Sequence, residues 1–206
     1  AVLGAYPEKP IKVIVPFAPG GGTDLVARTL AVPMGDDLRQ SIVIDNKPGG
    51  STIIGTDALA KSAPDGYTLV VATLAHAVNP SLKSKLPYSQ DKDFAPVILV
   101  GISPNVVVVS ADSPYKTFAE FLAAAKANPG KLSYASQGGG TSAHLAGELF
   151  NSMAGTNLTH VPYKGAGPAL TDVIGGQVDV MFATASAVGS LVDAGKLRAL
   201  AVTTPT

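Results

Sequence analysis

Two short stretches hold the residue types from which a site for small anions is built. Gly20-Gly21-Gly22 runs into Thr23-Asp24, and Gly138-Gly139-Gly140 runs into Thr141-Ser142. Each triplet follows a short strand-like run, Ile11 to Val15 or Lys131 to Ser136, and each opens a stretch with apolar residues at helical spacing. The pattern reads as strand, tight loop and helix start. Glycine has no side chain to hold the backbone away from a guest, and the amides of a first helical turn have no partner within the helix. With the positive end of the helix dipole, such a place attracts carboxylate or phosphate. The plainer reading of either triplet is a tight turn and nothing more. Two of them, over a hundred residues apart in the chain, favour two lobes facing one ligand.

In the first loop Phe17, Ala18, Gly21, Gly22 and Thr23 are the candidates, the amides of the last three and the Thr23 hydroxyl holding one carboxylate. Asp24 adjoins them, but a carboxylate there would repel an anion, so capping the helix is its expected work. In the second loop Gly139, Gly140, Thr141 and Ser142 would take the ligand's other end, or the same carboxylate from across the cleft. His144, one turn into that helix, either donates to a carboxylate or packs against the loop. Thr73, His76 and Asn79 follow a third strand, at the end where α/β folds place ligands. Lys164 and Gly165 sit in a further glycine-bearing turn, Tyr163 to Pro168, where the lysine either reaches the cleft or is simply solvated. Ala183 and Thr184 follow another strand, and His160 is expected to be structural.

The strongest competing signal is the spacing of Gly138, Gly140 and Ala143, which matches the dinucleotide fingerprint GxGxxA after a strand. That motif needs an acidic residue about twenty positions on to hold a ribose, and the chain there reads Leu158-Thr159-His160-Val161. A nucleotide-dependent oxidoreductase using the Gly138–Gly140 loop is thus the alternative reading. Ser142 lacks the GxSxG elbow of a hydrolase, and no glycine loop continues into GK[ST]. The three histidines lie at no metal-binding spacing, so no metal is expected, and without the ribose-binding acid no cofactor is expected either.

The elements that must position these residues are those of an α/β protein. The chain has 206 residues, 46% of them hydrophobic and 15% charged, enough for one large domain or two lobes with real cores. Lys plus Arg equals Asp plus Glu, 15 against 15, so no global field recruits nucleic acid or an anionic membrane. There is no cysteine, which excludes disulfides and thiolate chemistry. No apolar run approaches the roughly 20 residues of a spanning helix. Strands are expected at 11–15, 41–45 and 67–73, then at 96–101 and 106–110, and later at 131–136, 159–162, 178–182 and 198–202. Helices fall between them, from Asp24, over 52–63, from Thr117, after the second triplet, over 169–174 and over 186–194 with Gly195 as C-cap. The alternation predicts an α/β layer with right-handed crossovers. Pro33 and Gly35 should kink or stop the first helix. Residues 74–95 look irregular, and the first lobe passes to the second near residue 101.

Taken together, Tyr6-Pro7-Glu8-Lys9-Pro10-Ile11, VPFAPGGGTDLVAR, IDNKPGG, PDGYTL, GGGTSAHLAGELF, THVPYKGAGPALTDVIGGQVDVMF and GKLRALAVTT form an ordered set across the whole chain. In this set the chain resembles the Bug family, the TctC-type periplasmic solute receptors of tripartite tricarboxylate transporters. The resemblance implies a two-lobed periplasmic binding protein of the Venus-flytrap, type II-like kind, closing on a small di- or tricarboxylate or aromatic acid without catalysis. It implies a periplasmic location after removal of a signal peptide, a monomer, and delivery of the solute to transporter membrane subunits; a sensor accessory would use the same pocket. Residues 1–101 would be the first lobe, incomplete, and 102–202 the second. Residues 203–206 would begin a return to the first lobe, which family members complete and this chain lacks. Many relatives carry Asp-Asn where this chain has Ala183-Thr184, so no acid awaits an ammonium group there and simple carboxylates are favoured over amino acids.

Overall fold

The computed structural model describes residues 6–205, so the first residues of the 1–101 lobe and the last of the 203–206 segment lie outside it. Strands β1 (Ile11–Val15), β2 (Ile42–Asn46) and β3 (Thr68–Val70) pair in parallel in the order β2-β1-β3. β1 is central, and all of it except Lys12 is buried, as a parallel strand covered on both faces requires. Helix α1 (Gly22–Leu38) connects β1 to β2, α2 (Ile53–Ala60) connects β2 to β3, and α3 (Leu74–Leu82) leaves β3.

The second sheet holds β4 (Asn105–Ser110), β5 (Ser133–Ser136), β6 (Thr159–Pro162), β7 (Val180–Thr184) and β8 (Leu197–Val202), ordered β6-β5-β7-β4-β8. Helices α4 (Phe118–Ala127), α5 (Ser142–Ala154), α6 (Ala166–Ile174) and α7 (Ala185–Asp193) alternate with them. Pleating divides the core in two: Val108 joins Ala166, Leu170, Val173 and Met181 on one face, while Val107 and Val109 join Phe121, Tyr134, Val180 and Phe182 on the other. α4 starts with a capping box, Thr117 Oγ1 accepting the Glu120 N–H and the Glu120 carboxylate accepting the Thr117 N–H, both at 3.2 Å.

Four expectations are corrected. α1 does not stop at Pro33 but continues to Leu38. Pro33 and Thr29, whose carbonyl loses its helical donor, are both exposed, so that carbonyl is open to solvent. Residues 74–95 are not all irregular, because α3 forms at their start. No strand forms at 96–101: the stretch has no paired neighbour among the described residues, and Val97, Ile98 and Leu99 are 79%, 79% and 76% exposed. The second sheet is mixed, with β4 antiparallel to both β7 and β8.

Candidate functional site

Parallel pairing puts the carboxyl ends of β1 and β3 on one sheet edge and those of β5, β6 and β7 on another. Each of these five strands feeds a helix, and the starts of all five helices border one cleft between the sheets. The cleft encloses a cavity of about 60 Å³. One water needs on the order of 10–15 Å³. Gly21, Gly22 and Thr23 contribute the start of α1, Thr73 and Leu74 that of α3, and Thr141 and Ser142 that of α5. Ala166 begins α6, Thr184 is the N-cap of α7, and Phe17 and Gln137 complete the wall.

None of the five helix starts is capped by its own N-cap side chain. Their first-turn amides sit at the positive ends of the dipoles and lack the acceptor of a helix interior, although the Ala185 N–H of α7 donates to the Pro104 carbonyl and the His76 N–H of α3 to the Thr73 carbonyl, both at 2.9 Å. None of the lining residues carries a formal charge. The cavity thus offers concentrated partial positive charge with neither a lysine to bind an anion nor a carboxylate to repel one.

Small residues bring the lobes this close. A Cβ added at Gly22 would meet Ser186 Oγ, with Thr184 Oγ1 at 3.0 Å, and one at Gly165 would lie 2.9 Å from the Ala18 amide. The Ala18 N–H donates to the Lys164 carbonyl at 2.8 Å, a main-chain bond across the cleft.

Eight of the expected residues line the cavity: Phe17, Gly21, Gly22, Thr23, Thr73, Thr141, Ser142 and Thr184. The others are placed differently. Asp24 is 4% exposed, and its carboxylate accepts from the Gly20 N–H, Arg28 Nε and Asn46 Nδ2 at 2.9–3.1 Å. Burial alone would raise this carboxyl, but bonds from Arg28, Gly20 and Asn46 together hold it below the usual value. Asp24 therefore ties down the glycine loop. His76 packs against Phe94 and Tyr88, and burial lowers its pKa. Asn79 is fully buried, donating to the Ser51 carbonyl at 2.9 Å and to Thr52 Oγ1 at 3.3 Å. Ala18 and Gly165 join the lobes, Lys164 is an exposed side chain, and Ala183 belongs to the core. Gly139 lies against Ser51, and Gly140 against Leu82 and Asn79.

His144 stands behind the second loop, where its Nδ1 accepts the Gly140 N–H at 3.0 Å. Its ring stacks on His160 at 4.2 Å, and His160 Nε2 shares a 2.6 Å hydrogen bond with Ser136 Oγ. The same Ser136 oxygen accepts the Gly138 N–H at 3.1 Å. Burial pushes the His160 imidazole down to about 4, with His144 adding to the effect and Glu148 opposing it. Among the described residues no group of three or more acidic, histidine or cysteine side chains could hold a metal ion.

Leu74, Gln137 and Ala166 escaped the sequence reading. Leu74 and Ala166 are apolar first residues of helices, where the backbone and not the side chain matters. Gln137 had a signal, as the one polar side chain between the end of β5 and the second triplet.

Comparison with known proteins gives the family. Residues 26–206 match the model of the tripartite tricarboxylate transporter family receptor, TctC. The chain belongs to the TctC family. It is 42% identical to BugT of Bordetella pertussis over 199 residues, 96% of this chain and 61% of BugT. Rpa4515 of R. palustris, solved with adipate, superposes with a TM-score of 0.94 at 37% identity, over 98% of this chain and 68% of that one. MatC of Rhodopseudomonas palustris, solved with bound malate, gives 0.88 at 35% identity, over 97% and 68%. The chain thus spans about three fifths of the length of a relative such as BugT. TctC proteins are receptors, not enzymes, and have the two-lobed α/β fold of periplasmic binding proteins. No helix among the described residues is long and apolar enough to cross a membrane.

Proposed function

We propose that this TctC chain is the solute-binding part of a periplasmic receptor that closes on a small organic carboxylate and hands it to transporter membrane subunits. Residues 1–101 and 102–202 act as the two lobes of one monomer, with the ligand between them. One observation carries the reading: five helix starts without side-chain caps meet on a single cavity whose lining bears no charge. Backbone amides of Gly22, Thr23, Ser142 and their neighbours hold the carboxylate oxygens. Hydrogen bonds to a charged group contribute roughly 1.5–3 kcal/mol each. Four to six of them reach the about 8 kcal/mol of micromolar affinity once the ordering cost of closure is subtracted.

The absence of a carboxylate among the lining residues sets amino acids apart, because an ammonium group buried there would have no counter-charge. The dinucleotide reading loses its cradle: the Gly138 amide is committed to Ser136 and the Gly140 amide to His144. A thermal-shift panel of malate, succinate, adipate, benzoate and glutamate tests the proposal. A good ligand at a hundred times its dissociation constant adds about 2.7 kcal/mol. For a chain of this length that is a rise of roughly 5–10 °C. The simple acids should give such a rise and glutamate should not; a flat panel overturns the reading.

A further inference from the structure

Gln137 lines the cavity beside the start of α5, and its Oε1 is buried without a hydrogen-bond partner among the described residues. A buried carbonyl oxygen left without a donor is costly, and a donor carried by the molecule that fills the cavity would relieve that cost. The two neighbouring hydroxyls have the same polarity. Thr141 spends its hydroxyl proton on the Gly138 carbonyl at 2.7 Å, and Ser142 spends its own on Asn105 Oδ1 at 3.3 Å. Both therefore turn lone pairs, not hydrogens, to other partners. This end of the cavity combines main-chain donors from the α5 turn with three side-chain oxygens that accept.

A plain carboxylate satisfies the amides and leaves the acceptors empty. An ammonium would satisfy the acceptors but bring a charge that no lining residue balances. A neutral donor close to a carboxylate satisfies both sets at once. We infer that Gln137 is a specificity residue that selects acids carrying a hydroxyl next to the carboxylate, by accepting the hydroxyl proton at Oε1. This deepens the carboxylate reading and rests on it.

Malate and succinate differ only by that hydroxyl and so make the matched pair of probes. Calorimetric titration of the protein should show malate binding at least about fivefold tighter than succinate, as one added hydrogen bond gives. Gln137→Met keeps the side chain's length and removes the acceptor. It should weaken malate about fivefold more than succinate, and so abolish the preference. An unchanged circular dichroism spectrum and a cooperative thermal transition certify that the variant is folded. Gln137→Leu serves in the same comparison if the methionine variant does not express. Equal affinity for the two acids in the unaltered protein overturns the inference while leaving the carboxylate site intact, as does a preference that survives in the variant. Failure of both acids to bind takes down the inference and the carboxylate reading together.

Discussion

Gly22 shows most directly how one residue sets what the site can do. It starts α1, lines the cavity, and lets the first lobe come so near the second that a methyl group would strike Ser186. Its backbone φ is not in the left-handed region, so alanine is permitted by conformation and opposed only by the neighbouring lobe. Gly22→Ala should therefore fold with a ligand-free melting temperature within a few degrees of the unaltered protein. It should bind its acid at least about tenfold more weakly, about 1.4 kcal/mol, since closure is held open. Unchanged affinity would mean that this close approach is no part of binding. The glycines were legible in the sequence because only backbone needs explain three in a row before a helix. Gln137 was not, since its importance depends on which neighbours have already used their hydroxyl protons, and those partners, Gly138 and Asn105, are known only from the fold.

At the scale of elements, the start of α5 is held from behind by a stack of rings. Tyr134 and His160 lie 4.9 Å apart, His160 and His144 lie 4.2 Å apart, and Tyr134 donates to Glu148 at 2.5 Å. β5 supplies Tyr134 and Ser136, β6 supplies His160, and α5 supplies His144 and Glu148. An unfolded histidine takes up its proton near pH 6.5. Folded His160 does so only near 4. Between these values the unfolded chain binds more protons, so stability falls as the pH drops through that window and levels off below it. Melting temperature followed from pH 7.5 to 4 should decline through this range, and His160→Asn, which cannot titrate, should flatten the decline. A variant with the same slope as the unaltered protein would show that another group is responsible. The helices other than α3 were readable from apolar spacing and their glycine or threonine starts. The strand expected at 96–101 was not there, because an apolar run announces a preference for burial and says nothing about whether a partner strand adjoins it. β3 and α1 show the same limit from the other side. β3 stops at three residues because it pairs only along Lys12 to Ile14 of β1, and α1 continues past Pro33 on an exposed face where the unpaired carbonyl is open to solvent.

For the whole molecule, two features stand out. The exposed run Val97, Ile98, Leu99, Val100 and Ile102 makes an apolar patch far from typical of a free surface. The chain should accordingly enhance the fluorescence of an apolar dye such as anilinonaphthalene sulfonate. Replacing Leu99 and Ile102 by lysine should remove most of that signal without altering acid binding; dye binding that persists would place the apolar surface elsewhere. The second feature is the convergence of helix starts from two separate sheets, on which the proposed function depends. The parallel strands that produce it were legible from the alternation of apolar runs and helices, and the two glycine triplets marked two of the five starts. The starts of α3, α6 and α7 carry weaker marks, a threonine or a lone glycine, and only the fold brings them to the same place.

The measurement that reaches this convergence most directly is amide NMR of the nitrogen-15-labelled chain titrated with malate. If the cleft holds a carboxylate by main-chain donors, the amide protons of Gly22, Thr23 and Ser142 move downfield together and saturate at one dissociation constant. If malate saturates the protein while those three amides stay in place, the acid binds elsewhere and the account of the cleft is wrong.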